Sequence, residues 1–156
     1  MQAYSYETLT IKAHASGIDI AEKTLRGSNK GLYGDGMILI DKRITTIIEK
    51  ACILAEELGH HYTSSGNILD QRDIRNRKQE LLSRHWAYDC MLPLDRIVEA
   101  HHNRIAGRYE LAEYLSVTEE FLQNAIDRFS AKYGLTVKAD DHHVVVLDPL
   151  GVIEVV

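Results

Sequence analysis

Ile44-Thr45-Thr46-Ile47-Ile48-Glu49-Lys50-Ala51-Cys52-Ile53-Leu54-Ala55-Glu56-Glu57-Leu58-Gly59-His60-His61 is the stretch whose reading decides the fold. Ile44, Ile47, Ile48, Ala51, Ala55 and Leu58 recur at spacings of three and four, which predicts an amphipathic helix over 44–62 with one strongly apolar face. The polar residues gather at its C-terminal end. Glu56 and His60 are four apart, and four helical residues turn through ~400°, so both side chains leave from nearly the same face. A metal ion can be gripped by both. Glu57 lies ~100° further round, beside such an ion, where a general base stands to take a proton from water.

This is the geometry of the HExxH helix with glutamate in place of the first histidine. Carboxylate oxygen is an accepted zinc ligand, though a harder one than imidazole. At position 56 it also sets a negative charge next to Glu57, which raises the pKa of a base there. A Glu–His pair at this spacing occurs on many solvated helix faces, so the pair alone is not specific.

Before this helix, residues 4–16 read as a first helix ended near Gly17, and Ile18, Ile20 and Leu25 lie in a short region suited to a strand. Gly34-Asp35-Gly36 between apolar runs reads as a β-hairpin over 30–40. After the helix, 63–67 reads as a loop. A second amphipathic helix follows over 72–91, with Leu81, Leu82, Trp86, Tyr88 and Met91 as its expected core side, and Pro93 fixes its end. Residues 94–103, 108–115 and 118–132 read as three further helices, the last opened by Thr118 as N-cap with Glu119 and Glu120 in its first turn. Val144–Leu147 and Val152–Val156 read as two strands around a turn. The fold class is α+β, mostly helical, with small β-hairpin elements, a helical C-terminal part and a short C-terminal β-hairpin.

With 156 residues, 45% hydrophobic and 26% charged, the composition is that of an ordinary globular protein able to bury a core without staples. A net charge of −5 gives no sign of the basic excess that phosphate neutralisation demands, so direct nucleic-acid binding is not expected. Cys52 and Cys90 lie in helical segments among apolar neighbours and read as buried thiols rather than a disulfide. Met1–Thr10 lacks a leader pattern, and no apolar stretch approaches the ~20 residues that span a bilayer, so neither secretion nor a membrane is expected and the expected location is the cytoplasm.

Three features together make the sequence resemble the ImmA/IrrE family of metallo-endopeptidases, including the short versions found on phages and mobile elements. The first is Ala55-Glu56-Glu57-Leu58-Gly59-His60-His61, where the family usually has His-Glu-Leu-Gly-His. The second is Glu80, followed by Trp86-Ala87, Met91-Leu92 and Pro93. The third is the stretch Tyr109–Thr118, an Ala-x-x-Leu-x-Val-Thr element after the proline. The resemblance covers roughly residues 35–130. It implies a zincin-like core over 1–103 and a helix-turn-helix-like appendage with a terminal hairpin over 104–156. It also implies that Glu80 is a metal ligand from a second helix. Glu56, His60 and Glu80 then hold one divalent ion, zinc above all, with manganese or iron also suited to such a set. Glu57 is the catalytic base. The reading of Glu80 that needs no metal is an i,i+4 pair with Arg84.

The implied reaction is hydrolysis of a peptide bond in a regulator of a phage or mobile element, a helix-turn-helix repressor being the expected substrate. The alternative is a catalytically impaired protein of the same fold that acts by binding its regulator. His61 and Tyr62 are either oxyanion donors or ordinary residues at a helix end. His85 either supports the site from outside the ligands or is a satisfied core histidine, the reading preferred; His101-His102 and Asp140–His143 could bind adventitious metal, and read as a helix surface and as a loop before a strand. The segment 108–129 has the outline of a helix-turn-helix, but Glu119, Glu120 and Asp127 oppose phosphate, which favours a protein-docking use.

Overall fold

The computed structural model describes residues 4–63 and 74–156. The chain forms two compact units, Tyr4–Cys90 and Met91–Val156.

In the first unit, helix α1 (Tyr6–Ala15) starts at a capping box in which Ser5 and Thr8 exchange side-chain to backbone hydrogen bonds. Strand β1 (Asp19–Lys23) lies parallel to β3 (Met37–Asp41), and β2 (Gly31–Gly34) pairs antiparallel with β3, giving the order β1-β3-β2. The hairpin expected around Gly34-Asp35-Gly36 is present. Its two turn residues have φ of 51° at Asp35 and 70° at Gly36, the left-handed pair that matches the twist of adjoining strands. Helix α2 (Ile47–Thr63) begins where the Thr46 hydroxyl accepts the Glu49 N–H, and α3 (Ile74–Met91) follows. Leu9, Ala13, Ile18, Ile38, Ile40, Leu54, Ala55 and Leu58 form the core between α1, the sheet and α2.

On α3 the buried residues are Ser83, His85, Ala87, Tyr88 and Met91, with Trp86 half-buried, whereas Leu81 and Leu82 are exposed. The expected core placement of those two leucines is therefore corrected. At the closest approach to α2, beside Gly59, the inward residue of α3 is the small Ser83. The expected loop beyond Thr63, and the expected helix start at 72, lie outside the described residues.

An ion pair between buried Asp41 and exposed Arg43 ties the end of β3 to the loop at Leu25. The Asp41 carboxylate accepts from the Arg43 backbone N–H at 2.9 Å and from its Nε at 2.9 and 3.1 Å, while Arg43 Nη2 donates to the Leu25 carbonyl at 2.9 Å. The Arg43 side chain, then its N–H, holds the Asp41 carboxyl far below the usual carboxylate range. A depressed carboxylate pKa contributes stability above its unfolded value and loses it as pH falls. Asp41→Asn is accordingly expected to lower the urea midpoint at pH 7, with the difference from wild type shrinking as pH drops below ~4.

In the second unit, α4 (Leu94–His102), α5 (Arg108–Leu115) and α6 (Glu119–Tyr133) match the three expected helices closely, and the Thr118 hydroxyl accepts the Phe121 N–H at 3.0 Å as the expected N-cap. An antiparallel sheet of β4 (Thr136–Lys138), β5 (His143–Leu147) and β6 (Leu150–Glu154) completes it in that order. Its core is Ile97, Leu111, Leu115, Phe121, Leu122, Phe129, Val145 and Leu147. The α+β, mostly helical class is as expected. Both cysteines are free thiols, and burial pushes the Cys90 pKa up to about 11.

Candidate metal centre

Gly59 is the residue that brings the site together. A Cβ built on it would stand 2.2 Å from the Ser83 carbonyl oxygen and 2.9 Å from its carbon. The α3 backbone thus rests directly on α2, a contact only glycine permits. Ser83 is fully buried there and donates to the Glu80 carbonyl at 2.9 Å. Glu80 is three residues before Ser83 and His60 is one after Gly59, so the same close approach carries their side chains to each other. His60 Nε2 lies 3.3 Å from Glu80 Oε2, and Glu80 Oε1 lies 3.3 Å from Arg84 Nε. Both readings of Glu80 are realised at once, one oxygen toward His60 and the other toward Arg84.

His60 is buried, and burial lowers its pKa, with Glu80 raising it and Arg84 lowering it. The imidazole is held toward its neutral form, the form that ligates metals. Its Nδ1 is buried without a hydrogen-bond partner among the described residues. Donors bound at ~2.0–2.1 Å in a tetrahedral set stand ~3.3 Å apart, which is the separation of the His60 and Glu80 atoms.

Glu57 is the most perturbed acid near this pair. Strand β2 covers it: a Cβ on Gly31 would lie 2.9 Å from Glu57 Oε1 and 2.7 Å from Ile53 Cγ2. Burial, then the charge of Glu56, then that of Glu80, raises its pKa to about 8. Glu56 and Glu80 both act on Glu57, and Arg84 stands against Glu80. Among the described residues neither Glu56 nor Glu57 joins His60 and Glu80 in a group of three donors within 4.8 Å of one another. A neutral imidazole nitrogen beside a carboxylate oxygen at the spacing of two donors fits a divalent metal.

Glu56 is half-buried and its charge reaches Glu57. His61 faces elsewhere: its Nδ1 sits 2.8 Å from the Tyr33 hydroxyl. The Tyr62 ring stacks on Trp86 with centroids 4.9 Å apart, and its hydroxyl meets that of Ser16. His85 is buried with Nε2 3.2 Å from Asp89 Oδ2. Sequence reasoning missed Gly31 as the cover of Glu57; its signal was a glycine opening a strand where no turn requires one. It also read His102 and His143 separately, whereas the second unit places His102, His143 and Glu154 with donor atoms within 4.8 Å of one another. A cavity of about 820 Å³ in the second unit is lined by residues such as Ile105, Leu111, Ile126 and Leu150 and includes none of the residues just described.

The family described as the IrrE N-terminal-like domain, a peptidase family, matches this chain over residues 13–127. The chain belongs to that family. The match takes in α2 and α3 together with their glutamates and histidines. This IrrE-like membership implies a metallopeptidase-like fold and dependence on a metal. No curated protein and no solved structure matches the chain. No helix among the described residues is long and apolar enough to cross a membrane.

Proposed function

We propose that this protein is a metal-dependent endopeptidase with a zincin-like site, in which His60, Glu80 and Glu56 hold one divalent ion, zinc by preference, and Glu57 is the catalytic base. The observation that carries the reading is the meeting of His60 with Glu80 across the Gly59–Ser83 contact, with half-buried Glu57 near enough for Glu80 to raise its pKa. When bound, the ion supplies Lewis acidity, which acidifies water and polarises a carbonyl. Glu57 takes the proton of the attacking water and passes it to the leaving amine. Arg84 holds the second oxygen of Glu80 and fixes the direction of the first. The substrate class we favour is a helix-turn-helix regulator of a phage or mobile element.

The test loads the untagged protein with Zn²⁺ and incubates it with a mixture of unfolded proteins, reading new N-termini by mass spectrometry. New termini from wild type that vanish in His60→Ala support the reading. No new termini with Zn²⁺, Mn²⁺ or Fe²⁺ overturn it. A second reading, a catalytically impaired protein that works by binding its regulator, draws on one observation. With its pKa near 8, metal-free Glu57 is protonated at neutral pH and accepts no proton.

A further inference from the structure

We propose that His102, His143 and Glu154 form a second metal site, of structural character, that takes Zn²⁺ and clips the end of α4 to the C-terminal hairpin. This inference is independent of the centre at His60 and Glu80.

The three donors come from three elements of the second unit. His102 ends α4, His143 opens β5 and Glu154 closes β6. His143 and Glu154 are register partners across the antiparallel pair, so the ladder itself sets one opposite the other. His102 Nε2 stands 3.1 Å from His143 Nε2 and 3.6 Å from Glu154 Oε1. These separations bracket the ~3.3 Å between donors on one tetrahedral zinc. His101 Nε2 lies 3.5 Å from the same Glu154 oxygen but outside the group of three.

The His143 ring is already oriented. Asp140 holds its Nδ1 at 2.8 and 2.9 Å, and the Asp140 side chain is fixed in turn by the His142 N–H at 2.8 Å. A carboxylate on Nδ1 selects the tautomer whose Nε2 carries a lone pair, and that nitrogen faces His102. This is the outer partner that ligating histidines ordinarily have. The position also suits a cation because His101 and His102 lie in the last turn of α4, at its negative end. An ion here joins a helix to both strands of a hairpin, which resists separation of the last strand from the unit. Two imidazole nitrogens and a carboxylate oxygen suit zinc over calcium or magnesium, which prefer all-oxygen sets.

The experiment strips the full-length, untagged chain of metal and titrates it with ZnCl₂. Bound zinc is counted by native mass spectrometry, affinity is read by competition with a chromogenic chelator, and folding is checked by circular dichroism. Wild type is expected to hold two ions per chain. His102→Ala and Glu154→Gln, both changes of exposed side chains, are expected to hold one, while His60→Ala loses the other. Asp140→Asn keeps the second ion but binds it ~10–100-fold more weakly. The proposal is overturned if His102→Ala and Glu154→Gln keep the stoichiometry and affinity of wild type, or if wild type binds only the ion that His60→Ala removes. Loss of the His60 ion alone overturns the proposed function and leaves this site standing.

Discussion

Glu57→Gln is expected to lower kcat/KM for peptide hydrolysis by ~10²–10⁴-fold while leaving metal content unchanged, because it removes a proton acceptor and nothing else. Glutamine matches glutamate in size, so the close approach of Gly31 stays intact. Retention of full activity sinks the assignment of the base. The same variant makes a stability prediction in the metal-free protein. The folded-state pKa of Glu57, about 8, lies above the unfolded value near ~4.3, so as pH rises between them the unfolded chain gives up this proton before the folded one does. Folding is then penalised progressively up to pH 8. Metal-free Glu57→Gln escapes that penalty. It is expected to exceed metal-free wild type in stability by on the order of a few kcal/mol above pH 8, with the gap closing toward pH 4. Urea unfolding at three pH values measures it, and a gap that does not change with pH contradicts the account.

Gly59→Ala is expected to damage fold and site together. The added methyl meets backbone of α3 at 2.2 Å, which cannot rotate away as a flexible side chain can. Overpacking of this kind costs ~1–3 kcal/mol or more, and its relief requires α3 to move off α2. That motion separates Glu80 from His60, so metal affinity falls at least tenfold alongside the drop in melting temperature. Gly34→Ala is the control in the same unit, since a Cβ there meets nothing within 4 Å. If Gly59→Ala melts and binds metal like Gly34→Ala, the close helix contact is not what assembles the site.

The difference between these two glycines shows what the sequence could and could not disclose. Gly34 and Gly36 flank a turn between apolar runs, a local signal, and the hairpin they announce is present. The helices over 47–63, 94–102, 108–115 and 119–133 were legible for the same reason, since periodicity and caps act within a few residues. Gly59 sits inside a helix with no local cause, and its reason lies at Ser83. Leu81 and Leu82 misled for the complementary reason. Apolar character marks a core side only where the partner leaves room, and at the α2–α3 contact the room goes to Ser83. The neighbouring pair Glu57 and His60 followed from helical geometry, while Glu80 entered through its spacing to Trp86 and Pro93. His101-His102 and Asp140–His143 were each legible as chance metal binders, but nothing joined His102, His143 and Glu154: they are brought together by sheet register and by docking of α4, neither of which a spacing rule reads. Gly31 over Glu57 belongs to the same class.

The most direct measurement of the central claim is a metal count on the chain with His102 already replaced by alanine, so that only the His60–Glu80 centre remains. Native mass spectrometry of that variant after zinc loading is predicted to show one ion per chain, and none once His60→Ala or Glu80→Gln is added. An ion that persists after His60→Ala, or a His102→Ala chain that binds none while remaining folded, contradicts the account.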